Sequence, residues 1–169
     1  MKLSLTLILL TTFSGLLSAA TIPKGTGAAI TQVQNTADPL RIYYQDNTSG
    51  SGIREISVKT PTSAPSSNGL IHGGATRANT PLAALSWGAD PQVRVYFITP
   101  SNTLSEVAYI PGKGWNSGGN IGFPVLAGSE TLYATFLNNV LIVGYTNDGG
   151  SLSEAYYDLN NPGWKTYVV

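Results

Sequence analysis

A unit of about fifty residues recurs along this chain, and a period of that length restricts the available folds more than any other feature of the sequence. RIYYQ at 41–45 is followed by IREIS at 53–57, RVYFI at 94–98 by LSEVA at 104–108, and IVGYT at 142–146 by LSEAY at 152–156. Glu55, Glu106 and Glu154 hold the same place in the three copies, 51 and 48 residues apart. Propeller blades of four strands repeat at about 40–50 residues, and so do some helical arrays. The residues choose between them: each copy carries β-rich runs of strand length, separated by turn formers such as Pro100-Ser101-Asn102 and Asn147-Asp148-Gly149-Gly150. No stretch beyond the first twenty residues sustains a 3.6-residue apolar period. The expected fold is all-β, a β-propeller made of four-stranded blades with about three blades in this chain, the units falling near 28–79, 80–128 and 129–169.

Strands are expected at 82–87, 93–98 and 104–110, with a short one beginning near Trp115. The third unit repeats them at 132–137, 140–145, 152–157 and 164–168. The first unit begins near Ala28. Its tail, 59–79, reads as an irregular connection rich in Pro, Ser and Gly with no matching Trp.

Residues 1–20 read as a secretory signal peptide. Lys2 supplies the positive start, 3–17 is largely apolar, and Ser18-Ala19-Ala20 offers small residues for cleavage. The run is shorter than the roughly 20 residues of a spanning helix and is interrupted by Thr11, Thr12 and Ser14, so no membrane insertion of the mature chain is expected. Residues 21–169 then form one extracellular domain, in which Asn47-Thr48-Ser49 is a glycosylation sequon. The chain has no cysteine, which removes disulfides, thiolate metal sites and cysteine nucleophiles together. Nine Lys and Arg balance nine Asp and Glu, leaving no basic stripe for nucleic acid. A neutral surface rich in hydroxyl groups and aromatics suits an uncharged, hydroxylated ligand.

The repeated polar residues are Arg41 with Glu55 and Arg94 with Glu106. An Arg and a Glu on adjacent strands form an ordinary cross-strand ion pair, or they converge on the vicinal hydroxyls of a sugar through charge-assisted hydrogen bonds. Tyr109 follows Glu106 by three residues with Trp115 beyond it, and Tyr157 follows Glu154 by three with Trp164 beyond. Side chains three apart on a strand face opposite ways, so Glu and Tyr of one blade address different neighbours. A complete site therefore combines the Arg and Glu of one blade with the aromatics of the next, in an inter-blade groove. A Trp or Tyr face can pack on the C–H face of a pyranose; the same aromatics could equally serve blade packing alone.

The ordered set RIYYQ...IREIS, PLAALSW...RVYF...LSEVAYIPGKGW and its looser third copy resembles the fungal fucose-specific lectins of the Aleuria type. The resemblance implies a six-bladed propeller that binds fucose between consecutive blades, without catalysis or cofactor, and recognises fucosylated glycans or glycoproteins. Carried over by position, it implies one site from Arg41, Glu55, Tyr109 and Trp115, and a second from Arg94, Glu106, Tyr157 and Trp164. The third copy departs from the pattern. Ile142 stands at the Arg position, leaving Glu154 without that partner in a degenerate third site, and Val58 replaces the aromatic in the first unit.

A glycosidase commonly needs two carboxyls around one bond. Here each Glu occurs once per blade, which favours separate equivalent sites, although Asp46 or Asp90 could approach one. His72 is the only histidine and is expected in a surface loop, so neither a His-dependent triad nor a metal cluster has material. The rival to a lectin is a degenerate scaffold or cell-surface interaction protein. Three blades leave two uncovered ends, and a homodimer completing six blades would join the surfaces degraded by Ile142 and Val58; a truncated relic explains the same residues.

Overall fold

The computed structural model describes residues 27–46 and 52–169. Among them twelve strands form three sheets. The first holds β1 (Ala28–Gln32), β2 (Leu40–Asp46), β3 (Gly52–Val58) and β4 (Ser67–His72). The second holds β5 (Ala83–Trp87), β6 (Gln92–Ile98), β7 (Thr103–Ile110) and β8 (Gly114–Pro124). The third holds β9 (Leu132–Leu137), β10 (Val140–Thr146), β11 (Leu152–Asp158) and β12 (Asn161–Val168). Within each sheet every strand is antiparallel to the one before it, giving three up-and-down meanders of the kind expected for propeller blades. Asn138 and Asn139, with φ of 50° and 65°, make the two-residue turn between β9 and β10, where a type I′ hairpin needs positive φ twice.

The strand period of two sends alternate residues of the middle sheet to different neighbours. Val93, Val95, Phe97 and Val107 join Tyr43 and Ile53 of the first sheet, and Val33 just beyond β1, in one core. Tyr96, Ile98 and Leu104 join Leu141, Val143, Tyr145 and Ala155 of the third sheet in another. A sheet covered on both faces needs an almost continuous apolar strand, and β6, QVRVYFI, is one, broken by Arg94. The core thus lies between sheets, in the same interfaces that hold the grooves.

Three expectations change. The segment 59–79 is not wholly irregular: it contains β4, an edge strand whose sequence, SNGLIH, is mostly exposed and lacks the alternation that marks a half-buried strand. The strand near Trp115 is long, not short, because its pairing with β7 continues across two register shifts. His72 is not a surface-loop residue; it ends β4, half-buried, with its ring 4.8 Å from that of Phe97, and burial lowers its pKa. The leader 1–20 and the sequon at Asn47 lie outside the described residues.

Candidate functional site

The first groove lies between the first and second sheets. Arg41 and Tyr43 point from β2 to the same face as Glu55 and Ser57 of β3, because 41 pairs with 57 and 43 with 55. Arg41 Nη1 donates to Glu55 Oε1 at 3.1 Å and to Ser57 Oγ, while the Tyr43 hydroxyl donates to Glu55 Oε2 at 3.0 Å. Burial, then the Glu55 carboxylate, pushes the Tyr43 phenol well above its ordinary pKa, so it remains a donor. The second sheet supplies the opposite wall. Tyr109 and Trp115 are directly paired across β7 and β8, their ring centroids 5.6 Å apart, and Trp115 meets the Tyr43 ring edge-on at 6.0 Å. Arg41, Glu55, Tyr109 and Trp115, together with Val33, Asn35, Thr36, Pro91, Val93 and Pro111, line a cavity of about 260 Å³. That is just below the roughly 300–1,000 Å³ of drug-sized pockets, a volume suited to one sugar ring.

The second groove repeats the aromatic corner between the second and third sheets. Trp164 pairs with Tyr157 at 5.5 Å and meets Tyr96 edge-on at 6.1 Å. Its ion pair is looser, with Arg94 Nε 3.7 Å from Glu106 Oε2. Arg94 Nη1 instead donates to the carbonyls of Val93 and Tyr109 at 3.0 and 3.4 Å, and its guanidinium lies over the Trp87 ring, 5.0 Å from the centroid. Glu106 Oε2 and the Tyr96 hydroxyl are buried without a hydrogen-bond partner among the described residues. Desolvation raises the Glu106 pKa, and Arg94 only partly offsets it. The sign for stability follows: this carboxyl favours the fold fully below its unfolded-state pKa, and the benefit is lost as pH rises through the raised folded value.

The third copy is more altered than its missing arginine implied. Glu154 is not unpartnered: the Tyr133 hydroxyl donates to its Oε1 at 2.8 Å and that of Tyr167 to its Oε2. At the position of Tyr43 and Tyr96 stands Gly144, where a Cβ would lie 1.8 Å from the Tyr133 ring, so the glycine makes room for a tyrosine from β9. Opposite Glu55 and Glu106, the fourth strand carries Gly69 and Gly119; opposite Glu154 it carries Tyr167. Both carboxylate oxygens are therefore occupied by phenols. The Tyr133 phenol is pushed up to about 12, by its burial first and then by Glu154.

The model of the fungal fucose-specific lectin family matches residues 25–167. The chain belongs to this family. It is 30% identical over 141 residues to a fucose-specific lectin of Aspergillus oryzae, covering 78% of this chain and 42% of that one. It is 36% identical over 105 residues to the fucose-specific lectin of Aleuria aurantia, covering 60% of this chain and 29% of the relative. A structure of the Aleuria lectin with α-methyl-L-fucoside superposes with a TM-score of 0.67 at 28% identity, over 89% of this chain and 46% of that one. The Aleuria fold is a six-bladed β-propeller, so the three sheets here are blades of that fold. The chain spans less than half the length of these relatives.

In this member of the family the eight side chains singled out in the sequence lie in two sets of four, Arg41, Glu55, Tyr109 and Trp115 at the first groove and Arg94, Glu106, Tyr157 and Trp164 at the second, while the rest of the first groove's lining carried no mark in the sequence. Asn35 was legible only as a turn residue; it has φ of 57° and its Nδ2 donates to Ala89 O at 3.0 Å, tying the β1–β2 turn to the second blade. The glycines opposite Glu55 and Glu106 were visible but unread, since their meaning depends on register. Trp115 and Trp164 also pack on the two inter-blade cores. Trp115→Ala should therefore cost about 2 kcal/mol of stability, roughly half the value for a fully buried Trp, as well as weakening sugar binding about tenfold. Thermal melts and calorimetry on the same sample separate the two losses.

Proposed function

We propose that this chain is a secreted, non-catalytic lectin that holds L-fucose, free or on fucosylated glycans, in the grooves between consecutive blades. The observation that carries the reading is the cavity in which Arg41 and Glu55 of one blade face Tyr109 and Trp115 of the next. A guanidinium and a carboxylate supply donors and acceptors for vicinal hydroxyls, and the indole offers an apolar face for the C–H side of the ring. The relatives support fucose as the sugar: the Aleuria lectin is solved with α-methyl-L-fucoside and with Fucα1-6GlcNAc. The carboxylates sit one per groove, which favours repeated binding over an acid and base acting on one bond.

Retention on fucose-agarose with elution by free L-fucose is the expected result. Turnover of a fucosylated chromogenic substrate would replace the lectin by a glycosidase, and no retention would leave a scaffold.

Two copies of the three-blade chain, joined head to tail, form the assembly in this reading. Ile30 on the first blade and Tyr133, Leu137 and Tyr167 on the third are exposed apolar or aromatic residues on terminal blades. A closed pair would present four grooves and bind clustered glycans by avidity. Light scattering at micromolar concentration is expected to give the mass of two chains; the mass of one would exclude the pair.

A further inference from the structure

The two grooves share their aromatic corner but not the state of their arginine. In the first, Glu55 has both oxygens occupied, Oε1 by Arg41 and Oε2 by Tyr43. In the second, Arg94 Nε stays 3.7 Å from Glu106 Oε2, an ion pair without a hydrogen bond, and that oxygen accepts nothing from the described residues, although Glu106 is only 9% exposed. Two substitutions at matched register positions account for this. Ala108 stands opposite Arg94 where Ser57 stands opposite Arg41, so one acceptor is absent. Trp87, two residues beyond the partner of Arg94 on the first strand of its blade, occupies the place that Val33 holds in the first blade. Its indole stacks on Phe136 of the third blade, centroids 5.3 Å apart and planes 20° from parallel, which fixes the face that meets the guanidinium.

We propose that Trp87 is a positioning residue that makes the second groove the tighter of the two sugar sites, by holding Arg94 on its indole face and leaving a Glu106 oxygen free for a ligand hydroxyl. This rests on the fucose-binding reading of the grooves. A hydroxyl reaching Glu55 must compete with an internal hydrogen bond. One reaching Glu106 makes a bond where none exists and relieves a buried, unpaired oxygen, a difference that corresponds to about tenfold in affinity. The indole face holds the cation without an N–H donor; Nη1 is engaged by the carbonyls of Val93 and Tyr109 and Nη2 by Gln92 Oε1, which leaves Nε and the second Nη2 hydrogen for the same sugar. Arg94 and Tyr96 face Glu106 from β6, β8 presents Gly118, whose Cβ position is 2.6 Å from Glu106 Cγ, and Tyr157 of the third blade stands at the same corner.

The test is calorimetry with methyl α-L-fucoside on two single-groove proteins, Arg41→Ala, which keeps the second groove, and Arg94→Ala, which keeps the first. The Arg41→Ala protein should bind about tenfold more tightly, and its affinity should fall on acidification while the pH is still above the ordinary carboxylate range. Adding Trp87→Val should remove the advantage and move the acid limb to lower pH, because Arg94 then closes on Glu106. Trp87→Leu, which keeps more of the packing on Phe136, should do the same if the valine variant fails to fold. Trp87→Phe, which retains an aromatic face, should restore most of the affinity. Equal affinities in the two single-groove proteins overturn the proposal, as does a loss in the Val or Leu variant with an unmoved pH profile, which would mean packing alone. Absence of binding to the unmodified chain instead overturns the fucose reading and this proposal with it.

Discussion

Replacing both groove arginines, Arg41→Ala with Arg94→Ala, should abolish fucose binding, whereas Glu154→Gln should leave the titration unchanged at two sites per chain. Each arginine is the only cation paired with its groove's carboxylate among the described residues. A hydrogen bond to a charged group contributes about 1.5–3 kcal/mol, so each deletion should weaken its own groove about ten- to a hundredfold. The single variants should reduce the stoichiometry from two to one. The fold should survive. Arg41 and Arg94 both retain some solvent exposure, and a carboxyl left without its cation can take up a proton instead of unfolding the chain. Glu154 is different because its two oxygens are taken by Tyr133 and Tyr167, and Ile142 offers no cation. A site lost in Glu154→Gln would show that the third face binds sugar and that the assignment of two grooves is wrong.

Tyr43→Ala should be the most damaging single change for stability, lowering it by about 3–5 kcal/mol, the range for deleting a fully buried aromatic. Its side chain is completely buried between the first two blades, packed in one core with Ile53, Val95 and Val107, and its ring edge supports Trp115. The midpoint of thermal unfolding should fall by about 10 °C or more for a domain of this length. Tyr43→Phe separates the two roles of the residue. It keeps the ring but leaves Glu55 Oε2 without its donor, so it should cost about 1–2 kcal/mol and alter sugar binding in the first groove. Tyr96→Phe at the matched position in the second blade should cost little, because the hydroxyl it removes is buried without a partner among the described residues. Equal losses for the two Phe variants in denaturant titrations would show that the Tyr43 to Glu55 bond carries no weight.

Order and periodicity were enough to recognise the blade repeat and the facing of its strands. The 51- and 48-residue spacing of three glutamates gave three equivalent units, and the strand period of two put Glu106 and Tyr109 on opposite faces, which required a groove shared between neighbours. The β4 strand escaped because an exposed edge strand needs no apolar alternation. How alike the two grooves are depends on cross-strand contacts that a linear repeat does not record. Arg41 and Arg94 are the same residue at the same repeat position, yet one closes on its carboxylate and the other lies on Trp87, because the residues facing each arginine sit on neighbouring strands of its own sheet and meet it only through cross-strand register. The fate of Glu154 has the same cause. Its two phenolic partners come from β9 and β12, 21 and 13 residues away, and a repeat alignment that compares equivalent positions does not register a tyrosine supplied by a different strand.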